Sequence, residues 1–357
     1  MTTPAPSPRL ASLDQFRGYT MVAMLFVNFA GGYPSIPTTF GHHHTYCSFA
    51  DTIMPQFLFA VGFAMRLTFL KRLAADGAGP AYRKAVFRGL GLILLGCVIY
   101  KLTGSIKSWS SFHEVKWNEF FAQLFKRGPF ETLTHIGVTS LFVLPVIARG
   151  PWVRVATVIL AGTAHAGISL AWYYRWNLTE PVGIDGGPLG FLTWSIPLLI
   201  GSLAYDVVLK GKSWLFPAGI AIATLAVIIS QVGNPAAALP FSGPMPKDQP
   251  ANLNYWTMSQ RAGSITYTLF GAGFALCIYA TFQLICDRGG MSISLFGLFG
   301  QHALATYIIH DLVADAVKPF VPKDAPDWYI LMGFGVYFLV TWIFVRYLDR
   351  NKLYLRL

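Results

Sequence analysis

Ser213-Trp214-Leu215-Phe216-Pro217-Ala218-Gly219-Ile220-Ala221-Ile222-Ala223-Thr224-Leu225-Ala226-Val227-Ile228-Ile229-Ser230-Gln231-Val232 runs for 20 residues without one charged side chain. At 1.5 Å per residue, a helix of that length reaches about 30 Å, the thickness of a bilayer's hydrocarbon core. Runs of the same kind lie on both sides of it, at about 15–35, 49–70, 85–104, 131–149, 152–172, 188–208, 263–285, 292–314 and 328–347. With 213–232 they predict an all-α fold: a polytopic membrane bundle of about ten transmembrane helices, forming a single domain over 1–357. The segments at 131–149 and 292–314 are the most polar of the ten, holding His135 and Gln301, His302 and His310 respectively.

Composition points the same way. Of 357 residues, 54% are hydrophobic and only 12% charged, where a soluble domain carries about a quarter. A water-soluble enzyme, a disordered chain and a nucleic-acid binder are excluded. The net charge of +11 fits the basic loops of a membrane protein instead. With both termini placed in the cytoplasm, 17 of the 27 Lys and Arg residues fall on the inner side, among them Lys71, Arg72, Arg83, Lys84 and Arg88. That bias sets the expected orientation. Cys47, Cys97, Cys277 and Cys286 lack metal-ligand or disulfide spacing.

Several local patterns add detail. Ser12-Leu13-Asp14-Gln15 reads as a capping box opening the first span. The 105–130 connection alternates Trp109, Phe112, Trp117, Phe120, Phe121 and Leu124 with Lys107, Lys116, Glu119 and Lys126. It predicts an amphipathic helix, lying in the outer interface or packed over the bundle mouth. A proline-rich segment at 234–258, with Pro235, Pro240, Pro244, Pro246 and Pro250, is expected to form a loop or lid.

Polar residues within or beside membrane spans are costly and so mark function. They gather in three places. Asp14 and Arg17 open the first span, and Asn28 stands at its far end. A short outer loop holds His42, His43 and His44 and leads to Asp51. Span nine carries Gln301, His302, Thr306, Tyr307 and His310, with His302, Thr306 and His310 four residues apart on one helix face. Asp14 and Arg17 either pair with each other or meet an anionic ligand at the inner mouth. Asn28 satisfies a neighbouring carbonyl or works in the site. Adjacent histidine side chains diverge, so no metal is expected at His42–His44. His135 and His165 read as packing histidines within the bundle.

Ser12-Leu13-Asp14-Gln15-Phe16-Arg17-Gly18, Phe26-Val27-Asn28-Phe29-Ala30-Gly31-Gly32, the histidine-bearing loop and Ala50-Asp51-Thr52-Ile53-Met54-Pro55-Gln56-Phe57-Leu58-Phe59 resemble the opening of the heparan-α-glucosaminide N-acetyltransferase family of transmembrane acetyltransferases. Gly183-Ile184-Asp185-Gly186-Gly187-Pro188-Leu189-Gly190 and Gln301-His302-Ala303 through Tyr307 to His310 resemble later motifs in the same order. The family's Trp-Asn-Gly triplet after its histidine is absent, and His42 stands nine residues before Asp51 where the family spaces them by about ten. The large lumenal segment of the lysosomal member has no counterpart.

The resemblance implies a bacterial-type enzyme of the cytoplasmic membrane that moves an acetyl group from acetyl-CoA, as co-substrate, to an amino sugar on the outer face. It implies His42, with His44 as the alternative, as general base or acetyl carrier, Asn28 as the group orienting it or polarising the thioester, and Asp51 as the residue fixing the imidazole or capping span two. Asp14 and Arg17 with Gln301, His302, Tyr307 and His310 are the expected binding residues for CoA and acceptor. The partners expected are acetyl-CoA, a glycan acceptor, membrane lipid and a second copy of the chain, with no nucleic acid. The competing reading of the same polar groups is a transporter or flippase of sugar-like solutes.

Overall fold

The computed structural model describes residues 10–100, 108–126, 128–243 and 253–355. Lys107 of the amphipathic connection and Pro244, Pro246 and Pro250 of the proline-rich segment lie outside them. The regular structure of the described residues is all helix: α1 (Ala11–Ala30), α2 (Ile53–Asp76), α3 (Ala78–Ile99), α4 (Trp109–Phe112), α5 (Trp117–Lys126), α6 (Thr132–Val143), α7 (Pro151–Ile168), α8 (Tyr174–Leu178), α9 (Gly190–Leu209), α10 (Leu215–Gly233), α11 (Ile265–Phe282), α12 (Ser294–Gln301), α13 (Ala303–Val317) and α14 (Asp327–Arg350). No strand occurs among them.

Six helical segments are long and apolar enough to cross a membrane: Ala50–Asp76, Pro151–Leu178, Gly187–Leu209, Leu215–Gly233, Ile265–Arg288 and Asp327–Arg350. They coincide with six of the ten expected spans. The other four are helical but depart from expectation for identifiable reasons. α1 carries Asp14 and Arg17, and α3 carries Arg83, Lys84 and Arg88 in its first half. α6 stops at Val143 after 12 residues, about 18 Å of helix, because Pro145 has no amide hydrogen to return to the preceding turn. The ninth expected span is interrupted at His302, whose backbone (φ −108°, ψ 26°) leaves the helical region between α12 and α13.

The chain divides into two compact units, one of residues 37–276 and one of residues 1–36 with 277–356, with the boundary inside α11. In the 37–276 unit, α2 packs along α9 at glycine contacts: a Cβ on Gly62 would strike the Leu198 backbone, and one on Gly201 the Phe59 backbone. Without a hydrophobic effect between lipid-embedded helices, such close backbone approach is what holds them. One end of this pair is tied by charge. Asp206 receives Arg66 at 3.1 Å and also Arg154, and Arg154 reaches Ser202 Oγ at 3.0 Å. α5 forms over Trp117–Lys126 with Trp117, Phe121 and Phe125 exposed, and its Lys126 ammonium donates to the Thr179 carbonyl at 2.5 Å.

In the other unit, Phe29 of α1 stacks on Tyr337 of α14 at 4.9 Å. The start of α1 corrects the capping-box expectation. Ser12 gives its amide and hydroxyl to the Asp287 carboxylate, at 3.0 and 2.6 Å. Gln15 instead clips the Ile293 backbone, its amide donating to the carbonyl at 3.1 Å and accepting from the N–H at 3.0 Å. A full negative charge at a helix N-terminus meets both the free N–H groups and the helix dipole, so the distant carboxylate displaces the local cap.

Candidate active site

The loop between Pro37 and α2 is built around one carboxylate. Ser48 and Asp51 form a reciprocal cap: the Ser48 amide donates to Asp51 Oδ2 at 3.0 Å, and the Asp51 amide donates to Ser48 Oγ at 3.2 Å. This is the capping-box exchange with an aspartate in the glutamate position. The Tyr267 hydroxyl donates to the Asp51 carbonyl at 2.6 Å, fixing the turn to α11. Asp51 is 1% exposed. Its second oxygen, Oδ1, is free to do something else, and His42 Nδ1 lies 2.9 Å from it.

That contact sets the chemistry of the imidazole. Nδ1–H donates to the carboxylate, so in the neutral ring Nε2 carries the lone pair. Burial lowers the His42 pKa, but the hydrogen bond and charge of Asp51 outweigh it, with Asp185 and Gln260 adding to them, and the result lies above the usual imidazole value. The His42 side chain is nonetheless 47% exposed.

The neighbouring histidines have different work. His43 donates from Nε2 to the Thr38 carbonyl at 2.7 Å and stacks on Tyr46 at 4.6 Å, so it shapes the loop. His44 is pushed down to about 4 by burial and then by the Arg261 charge. It is neutral at physiological pH, and its buried Nδ1 has no hydrogen-bond partner.

Two residues outside the sequence expectation join this group. Asp185 Oδ1 accepts from Gln260 Nε2 at 2.7 Å, and both act on His42. Asp185 sits at φ 51°, followed by Gly186 at 84° and Gly187 at 60°. Three successive left-handed residues make a tight turn, with glycine at two positions and aspartate, which also tolerates this region, at the first. Thr193 donates to the Gly263 carbonyl at 2.8 Å, and Trp194 Nε1 to the Asp185 carbonyl at 2.7 Å, holding the two loops together. Burial pushes the Asp185 carboxyl up to about 6, against the Gln260 hydrogen bond.

The remaining candidates lie in the other unit. Asn28 Nδ2 donates to His310 Nε2 at 3.3 Å, because His310 Nδ1–H is committed to the Tyr307 carbonyl at 2.5 Å. Asp311 stands 3.2 Å from the same Nε2, and Tyr307 packs on the His310 ring. His302, Thr306 and His310 are all buried, as one inward helix face requires. His302 Nε2 faces Asp349 at 3.3 Å, and its ring stacks on Tyr354. Gln301 is half-buried at the break. Asp14 and Arg17 stand 3.9 Å apart as an i, i+3 ion pair. Of the packing histidines, His165 bonds Tyr255 at 2.9 Å, whereas His135 Nε2 is buried without a partner. Among the described residues, no three His, Cys, Asp or Glu side chains converge as metal ligands do.

An imidazole oriented through Nδ1 by a buried carboxylate, on a side chain exposed to solvent, is the equipment of acyl transfer. Residues 10–346 match the acyltransferase domain family, nearly the whole chain. The chain belongs to the acyltransferase-3 family. No curated protein matches it. As a multi-pass membrane acyltransferase, it carries three histidine–aspartate pairs among the described residues, His42–Asp51, His302–Asp349 and His310–Asp311, and of the three only the His42 ring is exposed, the other two histidines being 2% exposed or less.

Proposed function

We propose that this acyltransferase moves the acetyl group of acetyl-CoA to an amino-sugar acceptor of the glucosamine class on the extracytoplasmic side of a bacterial cytoplasmic membrane. The observation that carries the reading is the His42–Asp51 pair with its exposed ring. The acceptor amine attacks the thioester carbonyl, forming the N–C bond as the C–S bond breaks. His42 Nε2 takes the proton leaving nitrogen, Asp51 stabilises the imidazolium and holds its tautomer, and the departing CoA sulfur takes that proton back.

The basic-residue bias supports both termini in the cytoplasm, and with the apolar runs it supports ten crossings, some by broken or tilted helices. Arg17 at the inner mouth supports a role for CoA phosphates, in competition with Asp14. Gln301, His302, Tyr307 and His310 are assigned to binding of CoA or acceptor in this reading. Acceptor-dependent release of CoA by the purified protein tests it, with labelled acetyl followed into N-acetylglucosamine. Release that is abolished in His42→Ala is the expected result. No acceptor-dependent release, or release unchanged by that substitution, would overturn it.

A further inference from the structure

Gln260 is a member of the His42 group that the mechanism above leaves unused, and its amide is half-satisfied in an informative way. Nε2 is tied to Asp185, while the buried Oε1 has no hydrogen-bond partner. The same side chain stands close enough to His42 to accept from the protonated ring, which raises the His42 pKa. A buried acceptor without a donor costs about 1–3 kcal/mol, so when His42 is neutral the site is complete only when something else brings the donor.

We propose that Gln260 Oε1, aimed by Asp185, is the specificity element that selects an amine over a hydroxyl acceptor. This rests on the acetyl-transfer reading and names which atoms choose its substrate. The argument is a count of protons. At the moment of attack a free amine carries two hydrogens: one leaves to His42 Nε2, and the other is available to Gln260 Oε1. A hydroxyl carries one, which His42 must take, and Gln260 Oε1 is then buried and unpaired in the reacting complex. Sites that hydrogen-bond a substrate group reject the analogue lacking it far more strongly than apolar pockets reject a change of size.

Asp185 acts through Gln260 and is a positioning residue. A carboxylate only accepts, so the amide must turn its NH2 toward Asp185 and its oxygen away. Were that acceptor absent, the amide could present either end. The turn at Asp185-Gly186-Gly187 and the Trp194 hydrogen bond to its carbonyl hold the carboxylate in place for that purpose. His44 contributes a second buried and unpartnered atom, Nδ1, to the same surroundings.

The test compares kcat/KM of the purified full chain for glucosamine and for glucose, with acetyl-CoA as donor and its KM as an internal control. Wild type should favour glucosamine by about 100-fold or more. Gln260→Leu should shrink that preference to below about tenfold, chiefly by losing activity on the amine, with the KM for acetyl-CoA unchanged. Asp185→Asn should raise the KM for glucosamine more than it lowers kcat, since its amide aims Gln260 either way. A preference unchanged in Gln260→Leu would overturn the proposal while leaving the acetyl-transfer reading intact. Wild type that acetylates both acceptors equally would do the same, and needs no variant to fold. Transfer independent of His42 would instead remove the reading on which the proposal stands.

Discussion

His42 and His310 have nearly the same neighbours, a carboxylate and a side-chain amide, and opposite consequences. His42 gives Nδ1–H to the buried Asp51 and leaves Nε2 open, with the ring 47% exposed. His310 gives Nδ1–H to the carbonyl of Tyr307 on its own helix, and its Nε2 meets both Asn28 and Asp311. Its side chain is 2% exposed. What separates the proposed base from a bracing histidine is therefore not the residues present but which nitrogen is already spoken for. A loop that leaves a helix start can spend its cap carboxylate on an imidazole. A residue inside a helix finds its own backbone first.

The largest expected effect breaks this contrast directly. His42→Ala should lower kcat by about 10²–10⁴-fold, the range for loss of general acid–base help, whereas His310→Ala should cost less than about tenfold. Comparable losses in both would end the distinction. Asp51→Asn comes next, with kcat about 10–100-fold lower. Its pH profile is the sharper readout. In the proposed mechanism activity needs neutral His42, so in wild type it should rise with pH through a pKa above the usual imidazole value. Removing the Asp51 charge takes away what raises that pKa, so the rising limb should move to lower pH even as the plateau falls. A limb that stays in place would mean another group titrates.

How much of this was legible follows the sequence distance of each contact. The apolar runs declare themselves because length and charge-free composition are local, and the six clearest became membrane-length helices. His42 and Asp51 lie nine residues apart, within one loop and next to a helix start, where a capping carboxylate is expected. Gln260 and Asp185 meet across 75 residues through a left-handed turn whose glycines were visible but whose partner was not. Ser12 shows the reverse: its local pattern reads as a capping box, yet Asp287 from 275 residues away takes the helix end. The inward face of His302, Thr306 and His310 was readable from periodicity, but the break at His302 was not. Gly300 stands two residues before it, but α12 runs on through that glycine to Gln301, and the His302 ring is held between Asp349 and Tyr354.

His43 sharpens the comparison at smaller scale. Its 2.7 Å hydrogen bond to Thr38 and its stack on Tyr46 are structural, so His43→Ala should cost about 1–2 kcal/mol of stability and less than about fivefold in kcat at saturating substrate. A thermal melt read beside the initial rate separates the two. A melt unchanged with a collapsed rate would make His43 a second base and undo the reading of the loop.

Asn28→Ala should give the smallest loss of stability. The lost hydrogen bond is long, 3.3 Å, and Asn28 is exposed, so a stability loss of about 0.5–1 kcal/mol is expected. The Lys318 contact goes to the Asn28 backbone carbonyl and survives the substitution. Because Asn28 spends its amide on His310, kcat should fall less than about tenfold. An amide that instead donates to the thioester oxygen as it becomes anionic would cost about 10²–10³-fold when removed. The measured kcat of Asn28→Ala therefore decides between two roles for one side chain. A loss of a hundredfold would move Asn28 into the reacting centre and leave His310 as the group that aims it.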